Sequence, residues 1–185
     1  FAMFYPFLYV VITSLQQNRL INGIAVQEFG ISAYVSVMRN TELWTAFGNT
    51  LWTVVVGTIA SVLFTFITAY PLSRTHFRGR NAFMFYFFFT TLFSGGLIPY
   101  YLLIRDLGLR DSYLVYLIPG LIGGYNIILM KNFLQGIPAE LEESAKIDGA
   151  NNFVVMFGIY FPLSGPILAT IALWTAVGRW NNYMT

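Results

Sequence analysis

Charge is what this sequence has least of. Ten basic and eight acidic side chains in 185 residues make 10%, against roughly 25% in an average soluble domain. So few charges cannot cover a water-facing surface, which excludes a soluble globular enzyme. Cysteine is absent, and with it disulfides, thiolate metal sites and cysteine nucleophiles. A single histidine, His76, leaves no motif that needs two. No glycine is followed by lysine, so there is no phosphate-binding P-loop. The net charge of +2 is too small and too scattered for nucleic acid, and nothing calls for a metal or cofactor.

Apolar side chains are what the chain has instead: 57% are hydrophobic, 18% aromatic, and mean hydropathy is +0.64. The placement of the few charges says more than their number. Charge-free windows run over 1–18, 43–73, 81–104, 112–130 and 149–178. A bilayer core needs roughly 20 apolar residues of helix, and a charge at its centre costs about 2.5–3.5 kcal/mol. Five such windows predict an all-α, polytopic membrane helix bundle with spans near 1–15, 46–71, 82–103, 112–134 and 163–180. The first window is apolar from Phe1 onward and short for a span, and the chain stops five residues after the interfacial Trp180. Both ends therefore read as truncated.

Between the second and third spans, Arg74, Arg78 and Arg80 crowd a seven-residue loop that contains no acid. The positive-inside rule makes this loop cytoplasmic, which puts 105–111 outside and 135–162 inside. Gly57, Ala60 and Ser61 let neighbouring backbones approach the second span, and Pro71 is expected to break it just before the basic loop. Gly95-Gly96 and Pro99 read either as a bend lining a pathway or as a helix end at the outer surface. Asn126, the most polar side chain deep in the fourth span, either lines a pathway or hydrogen-bonds a neighbouring helix.

The stretch from 136 to 166 differs in kind. Pro138 stands where a helix can begin, and Glu140, Glu142 and Glu143 crowd the turn where the macrodipole favours anions. Glu142 reaches Lys146 at i,i+4, and Gly149 supplies a left-handed stop. Asn151 or Asn152 can cap a second helix, which runs through Pro162 and Pro166 into the last span. Leu141 and Ala145 give the first helix one small apolar face between charges. A helix built to lie on lipid is basic and bulky, so this acidic, small-faced one suits a protein partner.

This stretch resembles the cytoplasmic signature loop of the membrane subunits of binding-protein-dependent ABC importers. The pattern there is Glu-Ala-Ala, three residues, Gly, nine residues, Ile, one residue, Leu-Pro. Here Glu143-Ser144-Ala145, Gly149, Ile159 and Phe161-Pro162 keep that spacing, with Ser144 and Phe161 as the two departures. Gly48-Asn49-Thr50-Leu51, the run from Ala69 to Arg74, Gly95-Gly96-Leu97-Ile98-Pro99 and Trp180-Asn181 extend the likeness over nearly the whole chain. It is similar to carbohydrate-uptake permeases of the maltose-type second-subunit family, in the lipoprotein and aldouronate permease-like branch.

The resemblance implies the type I ABC permease fold, with five spans of a six-span subunit present. It also implies a second homologous permease, two cytoplasmic ATP-binding subunits, an extracellular solute-binding protein and the lipid bilayer as partners. On this mapping Glu143, Ser144, Ala145, Gly149, Ile159 and Pro162 couple the chain to the ATPase. Glu143 would be the polar anchor, Ala145 the close-packing position and Gly149 the turn. A permease for a non-sugar solute remains open. An intramembrane enzyme would need ionisable groups within its spans, and these windows contain none.

Overall fold

A computed structural model describes residues 3–21, 24–110 and 112–182, with 17–21 and 24–28 described by backbone alone. Asp111 of the expected outer loop and the first two residues of the first expected span lie outside these. The described residues divide into two compact units, 1–49 and 50–185.

In the first unit, α1 (Tyr5–Leu15) leads into a hairpin of β1 (Gln16–Ile21) and β2 (Ile24–Phe29), antiparallel with Gln16 opposite Phe29 and Ile21 opposite Ile24. This corrects the all-α expectation: the chain is mostly helical but carries one two-stranded ribbon among the described residues. The sequence between the strands is Asn22-Gly23, a pair that favours two-residue hairpin connections, flanked by the β-formers Ile21, Ile24 and Val26. Reading for charge-free windows passed over it. After the hairpin comes α2 (Ser32–Arg39), whose Tyr34 hydroxyl lies 2.5 Å from Ser14 Oγ of α1.

Helix α3 (Thr41–Ser73) is 33 residues long, about 50 Å at 1.5 Å per residue. Among the described residues it is the one unbroken helix long and apolar enough to cross a membrane; counting each sharply bent pair as one span gives up to three. Pro71 does not break it. The helix runs on to Ser73, where Ser73 Oγ donates to Tyr70 O at 2.6 Å and Arg74 N to Pro71 O at 3.1 Å, closing the last turn.

The remaining apolar windows are broken rather than straight. Helices α4 (Arg80–Leu92) and α5 (Leu97–Asp106) meet at 118°. Gly96, at φ 82°, supplies the left-handed residue that this reversal requires. A short α6 (Leu114–Leu117) is followed by an irregular stretch and then by α7 (Gly124–Gln135). At Gly124 helices α4 and α7 come so close that a Cβ would lie 2.5 Å from Phe87 O and 2.7 Å from Thr91 Oγ1 of α4. Gly57, expected to let a neighbouring backbone approach α3, instead makes room for a side chain. The Arg179 guanidinium fills the place of its missing Cβ and donates from Nη1 to Tyr116 O at 2.6 Å.

Helix α8 (Glu140–Ile147) is followed by α9 (Asn152–Val154), a π-helical turn (Val155–Tyr160), α10 (Phe161–Leu163) and α11 (Gly165–Trp180), with a 75° bend before α11. The buried core gathers Phe66, Ala69 and Tyr70 of α3, Ile127, Met130 and Leu134 of α7, Val155 and Tyr160 of the π turn, and Ile171 of α11. It therefore lies at the end of α3 that opens into the basic loop. Elsewhere Phe85, Tyr86, Leu92, Ile98, Leu173 and Trp174 are exposed, an apolar surface suited to lipid and to neighbouring helices rather than water.

Candidate functional site

The site is built around α8 and rests on the last turn of α3. Three glutamates crowd the first turn of α8 and Lys146 its last, the arrangement that complements the helix dipole. Lys146 Nζ donates to Glu142 Oε1 at 2.7 Å, as the i,i+4 spacing predicted. Gly149 adopts φ 81° and ends the helix, with its N–H bonded to Lys146 O and that of Ala150 to Ala145 O. Asn151, rather than Asn152, caps the next helix, its Oδ1 accepting from Val154 N at 2.9 Å.

The six residues expected at the coupling face do not all point the same way. Glu143 and Ser144 are exposed, and among the described residues no ion pair or side-chain hydrogen bond holds either of them. Ala145 is partly buried and packs on this chain's own core, as does Ile159. Gly149 is exposed with open space around its Cα, and Pro162 is exposed within α10. Phe161, one of the two departures from the signature pattern, meets Phe66 of α3 edge-on at 5.1 Å. Asn126 is half-buried and makes no side-chain hydrogen bond among the described residues.

Spacing alone did not single out Glu142 beyond its pairing with Lys146, yet it is the buried acid of the helix, 8% exposed. Arg74, the first residue after α3, donates from Nη1 to Glu142 Oε2 at 2.5 Å and to the Tyr160 hydroxyl at 2.8 Å. That hydroxyl lies 3.4 Å from the same carboxylate oxygen. The guanidinium also stacks 4.0 Å from the Tyr160 ring centroid and 4.7 Å from that of Tyr70. Burial pushes the Glu142 carboxyl up, but the hydrogen bond from Lys146, the Arg74 and Lys146 charges and the Tyr160 hydroxyl outweigh it and hold it below its ordinary 4.5. The partner of Glu142 is 68 residues away in sequence, so no local pattern could have found it.

The same contacts hold the basic loop and the α8 loop together, on one side of any membrane that α3 crosses. Two cavities flank the ion pair. One of about 530 Å³ lies between the end of α3, His76 and Phe153; the other, of about 330 Å³, lies between Thr75, Gln135 and Glu143. Glu142 and Lys146 line both. No group of three or more His, Asp or Glu that could hold a metal ion occurs among the described residues.

Comparison with known proteins agrees with this architecture. The chain is 42% identical over 182 residues to Protein LplC of Bacillus subtilis, an alignment covering 96% of this chain and 62% of that one. To the polygalacturonan/rhamnogalacturonan transport system permease protein YtcP of the same species it is 44% identical over 157 residues, 85% of this chain and 55% of that one. The chain thus spans less than two thirds of the length of these relatives. Among solved structures, it matches a chain in the crystal structure of a bacterial ABC transporter involved in the import of the acidic polysaccharide alginate. That match has a TM-score of 0.88 and 37% identity, and it covers 98% of this chain and 66% of the other. Residues 71–185, which include the basic loop, α8 and the bent final helix, match the model of one family. The chain belongs to that family, the binding-protein-dependent transport system inner membrane components.

Proposed function

We propose that this chain is the larger part of a membrane-spanning permease subunit of an ATP-driven importer for sugars or oligosaccharides. It forms half of the translocation pathway with a second homologous permease, receives solute from an extracellular binding protein and is driven by two cytoplasmic ATP-binding subunits. Five spans of a six-span subunit run near 1–15, 46–71, 82–103, 112–134 and 163–180, and the 135–162 loop is cytoplasmic. The chain is not itself an enzyme; ATP hydrolysis belongs to the partners.

The observation that carries this reading is the two-sidedness of α8. Glu142 and Ala145 turn inward and bind the helix to its own fold, which leaves Glu143 and Ser144 outward and, among the described residues, unpaired for a partner. The names of the relatives, among them a polygalacturonan/rhamnogalacturonan permease and an alginate importer, support a carbohydrate solute. On this reading Glu143 meets a basic group of the ATPase, and Gly149 aims α8 at it.

Gly149→Val forces a β-branched residue to positive φ at a cost of about 1–3 kcal/mol and tilts α8, while Glu143→Lys reverses the outward charge. Both variants should insert normally and lose ATPase co-purification and sugar uptake at matched membrane abundance. Glu140→Gln, at the helix start, should be mild. Wild-type uptake and co-purification in both would make this loop an ordinary connection.

A further inference from the structure

We infer that Arg74 is a positioning residue for energy coupling: through Glu142 and Tyr160 it makes α8, the end of α3 and the π turn move as one piece. This rests on the reading of α8 as the ATPase-facing helix. Backbone connections alone do not produce such a unit. From Ser73 the chain leaves through the basic loop, and α8 is joined to the π turn by Gly149 and the three-residue α9. Besides the apolar core they share, the three elements meet at one guanidinium, which reaches Glu142 of α8 at 2.5 Å and Tyr160 of the π turn at 2.8 Å. Gln135 Nε2, donating to Ser73 O at 3.5 Å, adds a weaker tie from α7 to the same turn of α3.

The chemistry of the cluster suits this role. Arg74 is 17% and Glu142 10% exposed at the side chain, so neither charge is left to water. Nη1 makes both hydrogen bonds while the flat face of the guanidinium lies over two aromatic rings, and an ammonium, which has no such plane, cannot do both. Tyr70 and Tyr160, 5.4 Å apart and edge-on, supply those rings from α3 and the π turn. A push on the exposed face of α8 is therefore delivered to the ends of α3 and of the bent helix that leads into α11, without passing through the Gly149 turn.

Removing one partner of a buried pair leaves the other charge stranded, so single substitutions confound folding with function. Neutralising both separates the two. The test uses the complete importer, with the companion permease, the ATPase and the solute-binding protein, carrying Arg74→Gln, Glu142→Gln, the double variant or Arg74→Lys in the full-length subunit. Membrane abundance, ATPase co-purification, ATP hydrolysis stimulated by binding protein and sugar uptake per assembled complex are compared. The double variant should regain abundance and bound ATPase yet keep uptake at least about tenfold down, with hydrolysis no longer responding to binding protein. Arg74→Lys, which keeps the charge but loses the plane that stacks on Tyr70 and Tyr160, should fall between. Wild-type uptake and stimulation in the double variant would reduce the cluster to a folding contact and overturn the inference. Failure of the underlying reading looks different: it is wild-type behaviour of Glu143→Lys and Gly149→Val.

Discussion

Glu142 stays charged where burial opposes charge, and the residues that permit this come from three places in the chain. Its folded pKa lies below the ordinary 4.5, so the stabilisation from its pairing is fully present above about that pH and is lost as pH falls through the lowered folded value. Thermal unfolding of the purified permease in detergent should therefore show a contribution that is flat from pH 7 to about 5 and declines below about 4.5. Glu142→Gln should remove that decline, and Glu140→Gln should leave it. An unchanged acid profile in Glu142→Gln would assign the decline to other carboxylates. At this scale the sequence was half legible. The Glu142–Lys146 pair and the left-handed Gly149 follow from helix spacing and from the need for positive φ. Which of three neighbouring glutamates turns inward follows from where Arg74 stands, and that is a matter of tertiary structure.

Elements were legible where one physical demand dominates and illegible where two compete. A 31-residue charge-free window dictates α3, and its proline, in the last turn, removes one donor without ending the helix. The windows 81–104 and 112–130 answer the same demand for apolarity but contain glycines at positive φ, Gly96 and Gly120, and the helices are interrupted there. The hairpin was missed because its Asn22-Gly23 signal sits in the short stretch between Arg19 and Glu28, which a search for long charge-free spans discards. The crossing of α4 and α7 depends on one missing atom. A Cβ at position 124 meets backbone oxygen at 2.5 Å, which cannot rotate away as a side chain could. Gly124→Ala should accordingly cost about 1–3 kcal/mol and lower the melting temperature in detergent. Gly123→Ala, whose Cβ would come no nearer than 3.5 Å to a neighbour, the Asn126 amide, should cost much less. Equal effects at the two positions would mean that the α4–α7 approach is looser than described.

For the whole molecule, apolarity and mechanism pull on different ends. Exposed aromatic and aliphatic side chains cover the long helices, whereas the buried core and the cluster of paired charges lie together where α3 gives way to the basic loop. The three-arginine loop is expected on the cytoplasmic side, and its Arg74 is tied to α8, so the two loops lie on the same side of any membrane that α3 crosses. The measurement that tests the account most directly is photocrosslinking from a single cysteine, in a chain that has none of its own, within the assembled importer. A benzophenone probe attached through Ser144→Cys, on the exposed face of α8, should yield adducts with the ATP-binding subunit, and one attached through Ser112→Cys should yield none. ATPase adducts from the Ser112 position, or adducts from the Ser144 position with the extracellular binding protein in place of the ATPase, would contradict the account.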